Sequence, residues 1–344
     1  MPTGGKAGSA RRLQSLDEYA GSRVLVTGGL GFIGSHLAAA LVELGAEVTI
    51  VDALVPGLGA NPYNLRDIED SVAVVRADLR DPAGVDELVS GRDHVFNLAG
   101  QGDHLASMRD PENDLALNCR AQLNLLEACR RSAPETRLVF AASRQQYGRP
   151  RTLPVHEDHP LDPVDVNGIN LCSAEAYHLL YHRVYGLRSS SLRLTNTYGP
   201  HMRLEEGGHG FISHFIGLAL HGETIDVYGD GSQVRDFLYV SDAVDAFLAV
   251  GITEATAGQA INVGGCGRTS VREFAELCQS AAGRSGRVVA VPWPEDRAAI
   301  DVGSVYLDHS RLEAATGWRP QVGIADGIRQ TLDFYRSHAH AYRS

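Results

Sequence analysis

A glycine-rich turn near the start of the chain limits the possible folds most strongly. The stretch VTGGLGFIGSHL places Gly28, Gly31 and Gly34 at three-residue spacing, after a β-branched apolar run and before a segment with helical periodicity. Glycine permits a tight turn and lets a diphosphate approach the backbone, while the N-terminus of the next helix supplies free N–H groups. The pattern predicts a strand–turn–helix unit that binds a dinucleotide; a turn needed only for packing is the alternative.

Strand-like and helix-like segments alternate through the first two thirds of the chain. The apolar runs are RVLVT, EVTIVDA, VAVVRAD, HVFNLAG, RLVFAAS and SSLRLTN, and the clearest helical patterns are DLALNCRAQLNLLEACRRS and SAEAYHLLYHRVYG. Continuous apolar strands separated by helices predict an α/β fold with a doubly wound parallel sheet (Rossmann), covered on both faces. After about residue 197 the loops become longer and richer in glycine, which predicts a smaller C-terminal substrate-binding lobe.

This pattern predicts three parts. A flexible N-terminal tail covers residues 1–22. The NAD-binding Rossmann domain covers residues 23–196 plus about 236–265, and the substrate-binding lobe covers about 197–235 and 266–344.

Composition limits the classes of partner. The chain of 344 residues carries a formal net charge of −11, which argues against nucleic acid or an anionic membrane as the main partner. No apolar run approaches about 18 residues, so no membrane span is expected. The five cysteines form no CxxC pair, and no apolar segment follows the basic N-terminus. We therefore expect a cytoplasmic protein, and no metal site, because His and Cys lack ligand spacing.

Acidic residues follow the second and third apolar runs. Asp52 lies 18 residues after Gly34, where a carboxylate would accept hydrogen bonds from both ribose hydroxyls and repel a 2′-phosphate. This favours NAD over NADP as the cofactor. Asp78 is predicted to lie near the adenine, with a helix cap or a loop residue as the alternative.

Several longer motifs occur in a fixed order over residues 23 to about 336. They are VTGGLGFIGSHL, VFNLAGQ, NCRAQLNLLEAC, FAASRQQYG, SLRLTNTYGP, VYGDGSQVRDFLYVSDAVDAFL and GWRPQVGIADGI. Together they resemble the extended short-chain dehydrogenase/reductase family, in its branch of NAD-dependent nucleotide-sugar epimerases and dehydratases. The resemblance implies bound NAD, a nucleoside-diphosphate sugar as substrate, and a homodimer formed through the helices near 112–131 and 170–186.

The resemblance also implies roles for single residues. Those expected to hold the cofactor are Gly28, Gly31, Phe32, Ile33, Asp52, Ala53, Asp78, Leu79, Leu98, Ala99 and Gly100. Those expected to bind the substrate are Gln101, Asn196, His201 and Arg235. Ser143 lies in the Ser/Thr position that hydrogen-bonds the reacting sugar hydroxyl. The planar fork of Arg235 suits a diphosphate, with a surface salt bridge as the alternative.

The chain departs from the family at the active-site motif. The family uses a Tyr as base, with a pKa lowered by a Lys four residues later, but this chain has Asn167 and Leu171 there. Asn167 cannot exchange a proton at ordinary pH, and Leu171 supplies neither a charge nor a hydrogen bond. The flanking residues keep the register, so the ordinary Tyr/Lys mechanism is not available from these positions.

Three further departures bear on the substrate. Arg144 and Gln145 stand where 4,6-dehydratases usually have Asp-Glu, which argues against that reaction. Arg144 could meet a substrate carboxylate or phosphate instead, with a structural ion pair as the alternative. Gly303 replaces an Arg that many relatives use for the nucleotide, and Gly100 stands where Ala is more common.

Another residue must then act as acid/base. His104, in the loop GQGDHLAS, is the first candidate because histidine titrates near neutral pH. The others are His201, Tyr147, Cys172 and Asp165.

The predicted catalytic set is Ser143, His104, Asn167 and Arg144, in an NAD-dependent nucleotide-sugar epimerase-like enzyme. A nucleotide-sugar dehydratase or related lyase is one alternative. A non-catalytic NAD-binding or regulatory protein is the other, favoured by the loss of the Tyr and Lys and disfavoured by the retention of Ser143, Asn196 and Arg235.

Overall fold

The computed structural model describes residues 16–204 and 210–342. Its strands are β1 (Arg23–Thr27), β2 (Glu47–Asp52), β3 (Val72–Arg76), β4 (His94–Asn97), β5 (Arg137–Ser143), β6 (Arg188–Leu194), β7 (Asn196–Tyr198), β8 (Ile225–Tyr228), β9 (Val234–Arg235), β10 (Phe237–Tyr239), β11 (Ala260–Val263), β12 (Thr269–Ser270) and β13 (Val288–Val291). Seven of them form one parallel sheet in the order β11-β6-β5-β4-β1-β2-β3. The other six form three two-stranded pairs: β7 with β10, β8 with β13 and β9 with β12.

Helices connect the strands. They are α1 (Phe32–Glu43), α2 (Val85–Val89), α3 (His104–Arg109), α4 (Pro111–Leu115), α5 (Ala121–Ser132), α6 (Val166–Tyr185), α7 (Phe211–His221), α8 (Val240–Ile252), α9 (Val271–Ala282), α10 (Glu295–Ala299), α11 (Ser310–Thr316) and α12 (Ile324–His338). A π-helical segment, Ala116–Arg120, joins α4 to α5. The helix predicted over 173–186 begins seven residues earlier, where the Asp165 side chain accepts from the Gly168 N–H and caps α6.

Helices pack on both faces of the sheet. Along β1, Val24 and Val26 belong to the apolar cluster formed with α1 and α8, while Leu25 belongs to the cluster formed with α5. Successive strand side chains point to opposite faces, so a continuous apolar run fits a sheet buried on both sides. The predicted α/β doubly wound sheet is confirmed.

The strand order reverses beside β1. The chain runs from β1 outward to β3, then returns to β4 on the other side of β1. In open α/β sheets ligands bind in the crevice outside the carboxyl ends of the strands at such a switch point. The loops after β1, β2 and β4 meet there, which places the predicted cofactor residues in one crevice.

A second apolar core joins the segments after residue 197. It contains buried side chains of α7, α9 and α12. The rings of Phe237 and Phe274 stack at its centre, with centroids 4.3 Å apart. These helices cover the carboxyl edge of the sheet from the C-terminal half of the chain.

The N-terminal segment differs from the expectation of a flexible tail over 1–22. Residues 1–15 lie outside the described residues. Residues 16–22 are ordered, because Tyr19 is buried in the main core and its hydroxyl donates to the Leu248 carbonyl at 2.8 Å. Among the described residues, the structure has no helix that is both long and apolar enough to cross a membrane.

Candidate active site

The glycine turn after β1 provides a cradle that side chains would fill. Gly28 has φ +66°, and a Cβ there would lie 2.7 Å from the Leu98 carbonyl oxygen. A Cβ at Gly34 would overlap the Gly28 carbonyl oxygen. Gly31 precedes α1, and no side chain caps this helix, so the first amides, those of Phe32 and Ile33, point toward the crevice. The turn therefore fits a dinucleotide diphosphate.

Asp52 is held at the end of β2 by backbone amides. Its Oδ2 accepts from the Leu30 N–H at 3.2 Å, and its Oδ1 accepts from the Leu54 N–H at 2.9 Å. These bonds fix the carboxylate at the edge of the crevice, beside Ala53, in the orientation needed to receive ribose hydroxyls.

Asp78 forms an ion pair that the sequence did not predict. Arg80 donates to both of its carboxylate oxygens, with Nη2 2.6 Å from Oδ2, and also reaches Asn113 Oδ1 at 3.0 Å. The Arg80 hydrogen bond holds the pKa of Asp78 below its usual range. Leu79 is buried in the core beneath. The Asp78 carboxylate is thus engaged by a neighbouring side chain.

The segment after β4 explains one departure from the family. The Ala99 N–H donates to Thr27 Oγ1 at 3.1 Å, which ties the segment Leu98–Gly100 to β1. A Cβ at Gly100 would lie 2.6 Å from Asn118 Oδ1. Glycine is required here because Asn118 packs directly against the backbone.

Four side-chain amides converge on the buried carboxylate of Asp114. Asn170 Nδ2 donates at 2.7 Å, Asn167 Nδ2 at 3.0 Å and Asn118 Nδ2 at 3.1 Å, and Gln101 Nε2 also donates. Asn167 Nδ2 additionally reaches the Gln101 carbonyl at 2.8 Å. Asn167 and Gln101, predicted as catalytic and substrate-binding, thus direct their amide groups into the protein. We call this set the Asp114 network.

Leu171 has an equally structural environment. It packs with Phe140, Ala142 and Ala174 in a small apolar cluster between β5 and α6. No cation would be stable in this cluster without a partner. Asn167 therefore joins an amide network where the family has its Tyr. Leu171 makes an apolar contact where the family has its Lys.

His104 forms the clearest acid/base arrangement. Its Nδ1 contacts a carboxylate oxygen of Asp165, which also accepts from the Gly168 N–H at 2.7 Å. Burial would raise the pKa of Asp165, but the hydrogen bond and charge of His104 outweigh it and hold that pKa below its usual value. The His104 side chain is 35% exposed whereas that of Asp165 is 2% exposed. A buried carboxylate thus orients an accessible imidazole.

The loop after β5 joins His104 to the other predicted residues. Gln145 Nε2 contacts the His104 ring, 3.0 Å from Nδ1, and the Gln145 N–H donates to Ser143 Oγ at 3.2 Å. Between them, Arg144 Nη2 donates to Asn196 Oδ1 at 3.0 Å. Ser143, Arg144, His104 and Asn196 are therefore brought into one pocket at the carboxyl edge of the sheet.

Arg235 lies close to Arg144 but is held differently. Its Nη1 donates to the carbonyls of Val234, at 3.0 Å, and Gly303. Its Nε has no hydrogen-bond partner in the described ranges, and the nearest carboxylate oxygen, on Asp301, is 3.9 Å from Nη2. Burial, followed by the charge of Arg144, lowers the pKa of Arg235 to about 9. The side chain is a buried cation with unused donors.

Three sequence candidates for the acid/base have other surroundings. Tyr147 is buried and bonded to Asn262 and Arg193, and burial raises its pKa to about 12. Burial also raises the pKa of Cys172 to about 11. Neither group can readily lose its proton near neutral pH, so these predictions are wrong.

His201 lies in a different part of the molecule from this pocket. Its ring stacks on His36 with centroids 4.2 Å apart, and its Nδ1 is 2.9 Å from Ser35 Oγ. Burial, then the charge of His36, lowers the pKa of His201 to about 2. The structure does not bring His201 together with Ser143 and His104.

Sequence reasoning missed Asp114 and Asn170. The three-residue spacing of Asn167 and Asn170 places both amides on one face of α6, which was a usable signal. Their acceptor lies on another helix, so the sequence alone did not reveal it. Asp165 was predicted only as an acid/base candidate, from its closeness to the substituted motif; in the structure it contacts His104 and caps α6.

The sheet and crevice define the class of the protein. A glycine turn at the switch point, an uncapped helix and a carboxylate at the end of β2 belong to dinucleotide-binding α/β proteins. The residues present fit NAD in particular, since a carboxylate at the end of β2, that of Asp52, would repel a 2′-phosphate.

Comparison with known proteins names the family. The model of the NAD dependent epimerase/dehydratase family matches residues 24–264. The chain is 33% identical over 316 residues to the UDP-glucose 4-epimerase of Mycolicibacterium smegmatis, covering 92% of this chain and 99% of that protein. The chain belongs to the NAD dependent epimerase/dehydratase family, which confirms the resemblance and the cofactor predicted from its motifs.

Solved structures agree with this assignment. An epimerase from Methanothermobacter thermautotrophicus superposes with a TM-score of 0.90 at 26% identity, covering 96% of this chain and 97% of that one. The UDP-glucose 4-epimerase of Thermotoga maritima, solved with UDP-glucose, superposes with a TM-score of 0.84 at 29% identity, covering 92% and 99%.

Proposed function

We propose that the chain is a nucleotide-sugar epimerase-like enzyme in which His104 is the acid/base. The observation that carries the proposal is the contact between the His104 ring and the buried Asp165 carboxylate, beside Ser143. Similarity to UDP-glucose 4-epimerases, one of them solved with UDP-glucose, supports a nucleoside-diphosphate sugar as substrate.

His104 has the properties that an acid/base requires. An imidazole titrates close to neutral pH, and a buried carboxylate on Nδ1 fixes the ring and stabilises the imidazolium. The His104 side chain is 35% exposed, while Asp165 is shielded from solvent. Gln145 Nε2 contacts His104 Nε2, so this amide must give way to the sugar hydroxyl when the substrate binds. The pair would supply the proton transfer that the family assigns to its Tyr.

The proposed chemistry uses the other residues of the pocket. NAD, when bound, accepts a hydride from a sugar carbon. The Ser143 hydroxyl hydrogen-bonds the reacting sugar hydroxyl, and His104 takes the hydroxyl proton as the carbonyl forms. His104 would then return this proton to the carbonyl oxygen, so that the same residue serves as base and as acid. Asn196 and Arg235 bind the diphosphate, and Asn167 positions the loop that precedes His104.

The residues that line the crevice would hold the cofactor. Asp52 and Ala53 would bind the adenosine ribose, and the amides of Phe32 and Ile33 the diphosphate. Because Arg80 engages the Asp78 carboxylate, we limit Asp78 and Leu79 to contacts beside the adenine. We leave His201 out of the substrate site, since its contacts lie with Ser35 and His36.

The remaining predictions concern the assembly and its location. We propose a homodimer through α5 and α6 and their flanking turns, supported by large apolar side chains that are exposed there, namely Leu115, Ile169, Leu180, Val184 and Tyr185. We keep the proposed division at about residues 197, 235 and 265, supported by the two separate apolar cores. Five free cysteines support a reducing compartment, the cytoplasm.

The test is a histidine substitution with a matched control. Small molecules released by denaturing the purified protein are first identified by mass spectrometry, and the released nucleotide sugar, or UDP-glucose if there is none, serves as the substrate. In H104Q, turnover should fall by about 10²–10⁴-fold while NAD and sugar binding stay within about threefold. His156→Gln, an exposed histidine near Asp308, should keep the wild-type rate.

Two outcomes would contradict the proposal. Wild-type turnover in H104Q would remove His104 as the acid/base. Binding of NAD without turnover of any nucleotide sugar by the wild type would favour the non-catalytic alternative.

A further inference from the structure

Arg144 is a half-buried cation with one hydrogen bond in the described ranges. Burial lowers its pKa, and its Nη2 donates to the neutral Asn196 amide. A guanidinium carries five N–H donors, so most of them have no partner among the described residues. No carboxylate of a described residue lies within ion-pair distance of Arg144, and Asp236 and Asp165 act on it only as more distant charges.

The acidic residues nearest to Arg144 are engaged elsewhere. Asp236 accepts from Thr195 Oγ1, and from the Gly265 and Leu307 amides at 3.2 Å each. Asp165 accepts from His104 and Gly168. Both carboxylates act on Arg144 only through their charge, so its remaining donors have no carboxylate partner among the described residues.

Arg144 lies on the sugar side of the pocket. It stands between Ser143 and Gln145, whose side chains touch the His104 arrangement. Arg235 is held instead by the carbonyls of Val234 and Gly303. The two arginines share no hydrogen-bond partner, and we assign them to different parts of a ligand.

We infer that Arg144 binds a carboxylate carried by the sugar, so that the substrate class is a nucleoside-diphosphate hexuronate. This inference rests on the proposed function, which assigns the diphosphate to Asn196 and Arg235. The planar fork of arginine matches a carboxylate with two parallel hydrogen bonds. A neutral hexose would leave Arg144 half-buried and unpaired, which selects against that sugar.

The experiment compares matched sugars on the NAD-loaded protein. Calorimetry with UDP, dTDP, CDP and GDP first identifies the base that binds. The hexose and hexuronate with that base are then compared, and the hexuronate should bind at least about tenfold more tightly, which corresponds to about 1.4 kcal/mol. Arg144→Gln should remove the preference without changing the affinity for the nucleoside diphosphate. Arg144→Lys, which keeps the charge but not the fork, should retain part of it.

One control variant and three contrary results test the inference about Arg144. Arg149→Gln, an exposed arginine bonded to the Asp301 carbonyl, should behave as wild type. Equal affinities of hexose and hexuronate for the wild type would overturn the inference, and this comparison decides even if the Arg144 variants fail to fold. An equal loss of affinity for the diphosphate and the hexuronate in R144Q would make Arg144 a phosphate ligand. If no nucleoside diphosphate binds, the proposed function fails, and this inference with it.

Discussion

Two regions of the molecule bury arginine to the same degree but use its donors differently. Arg193 on β6 is 5% exposed and Arg235 is 6% exposed. Arg193 donates through Nε to both oxygens of Glu175, at 3.0 and 3.2 Å, and through Nη1 to Tyr147 Oη at 2.7 Å. Burial alone would lower the pKa of Arg193, but the Glu175 hydrogen bond and charge outweigh it and raise that pKa. We call this set the Arg193 network.

In the pocket of Arg144 and Arg235, the effect of burial on the pKa outweighs the effect of neighbouring acids. Burial lowers the pKa of both arginines, and the neighbouring acids do not offset it. Since burial is similar, the difference lies in the partners that the chain supplies. Where Glu175 lies within hydrogen-bond distance the arginine is structural; where no carboxylate lies that close, as at Arg144 and Arg235, we propose that the arginine binds a ligand. The predictions below test this contrast in decreasing order of their effect on the free energy of unfolding.

The largest loss of stability is expected from a substitution in the Arg193 network. Glu175→Gln removes the charge that compensates Arg193 and should lower the free energy of unfolding by about 3–5 kcal/mol. Equilibrium unfolding in urea measures this. Asp326→Asn is the control, because its pair with Arg329 is solvent-exposed and should change stability by less than about 0.5 kcal/mol. A loss below about 1 kcal/mol in E175Q would mean that the two regions do not differ.

A smaller loss of stability is expected in the Asp114 network, where side-chain amides donate to a buried carboxylate. Asp114→Asn replaces one of the two acceptor oxygens with a donor, which would face the amide of either Asn170 or Asn167, and should lower the free energy of unfolding by about 1–3 kcal/mol. Glu112→Gln, exposed on the same helix, is the matched control. An unchanged urea midpoint in D114N would show that the Asp114 network does not hold this region together.

The sequence predicted the sheet, the glycine turn and Asp52 because these depend on local patterns. Strand periodicity and a fixed glycine spacing are read within one segment of chain. Ser143, His104, Arg144 and Asn196 lie near one another because they follow strands that end at the same edge, and their roles stay predictions.

The failures involve contacts between distant segments. Tyr147 was an acid/base candidate because it lies close to Ser143 in sequence. Its hydroxyl is hydrogen-bonded to Asn262 and Arg193, which lie on other strands. His201 follows β7 in sequence, yet it stacks on α1. The Asp114 network joins α6 to a carboxylate on α4. No local pattern encodes which side chains meet across such distances, so burial and partners required the fold.

The pocket arginines should tolerate loss of their charge. Arg235→Met should change the free energy of unfolding by less than about 1 kcal/mol, because its ion-pair partner Asp301 lies 3.9 Å away and keeps 28% of its side chain exposed to water. Arg193→Met is the matched contrast, since it strands Glu175 and should cost about 3 kcal/mol or more. In R235M, affinity for the nucleoside diphosphate should fall about 10–100-fold, as expected for a lost charge-assisted hydrogen bond. Equal losses of unfolding free energy in R235M and R193M would show that the two regions do not differ in how they use arginine.

The smallest effect is expected for a pair at the surface of α5. Hydrogen bonds from Arg130, then Tyr181, lower the pKa of Glu127 from 4.5 to about 2. Solvent screens this pair, so Glu127→Gln should lower the free energy of unfolding by only about 0.5 kcal/mol at neutral pH. Because the folded pKa is depressed, the contribution is complete above about pH 4.5 and is lost as the pH falls toward 2. Urea unfolding of both proteins from pH 7 to pH 3 should therefore show converging stabilities below pH 4.5, and a smaller gap in high salt. A gap that persists at low pH would mean that Glu127 stabilises the fold through packing and not through its charge, unlike Glu175 in the Arg193 network.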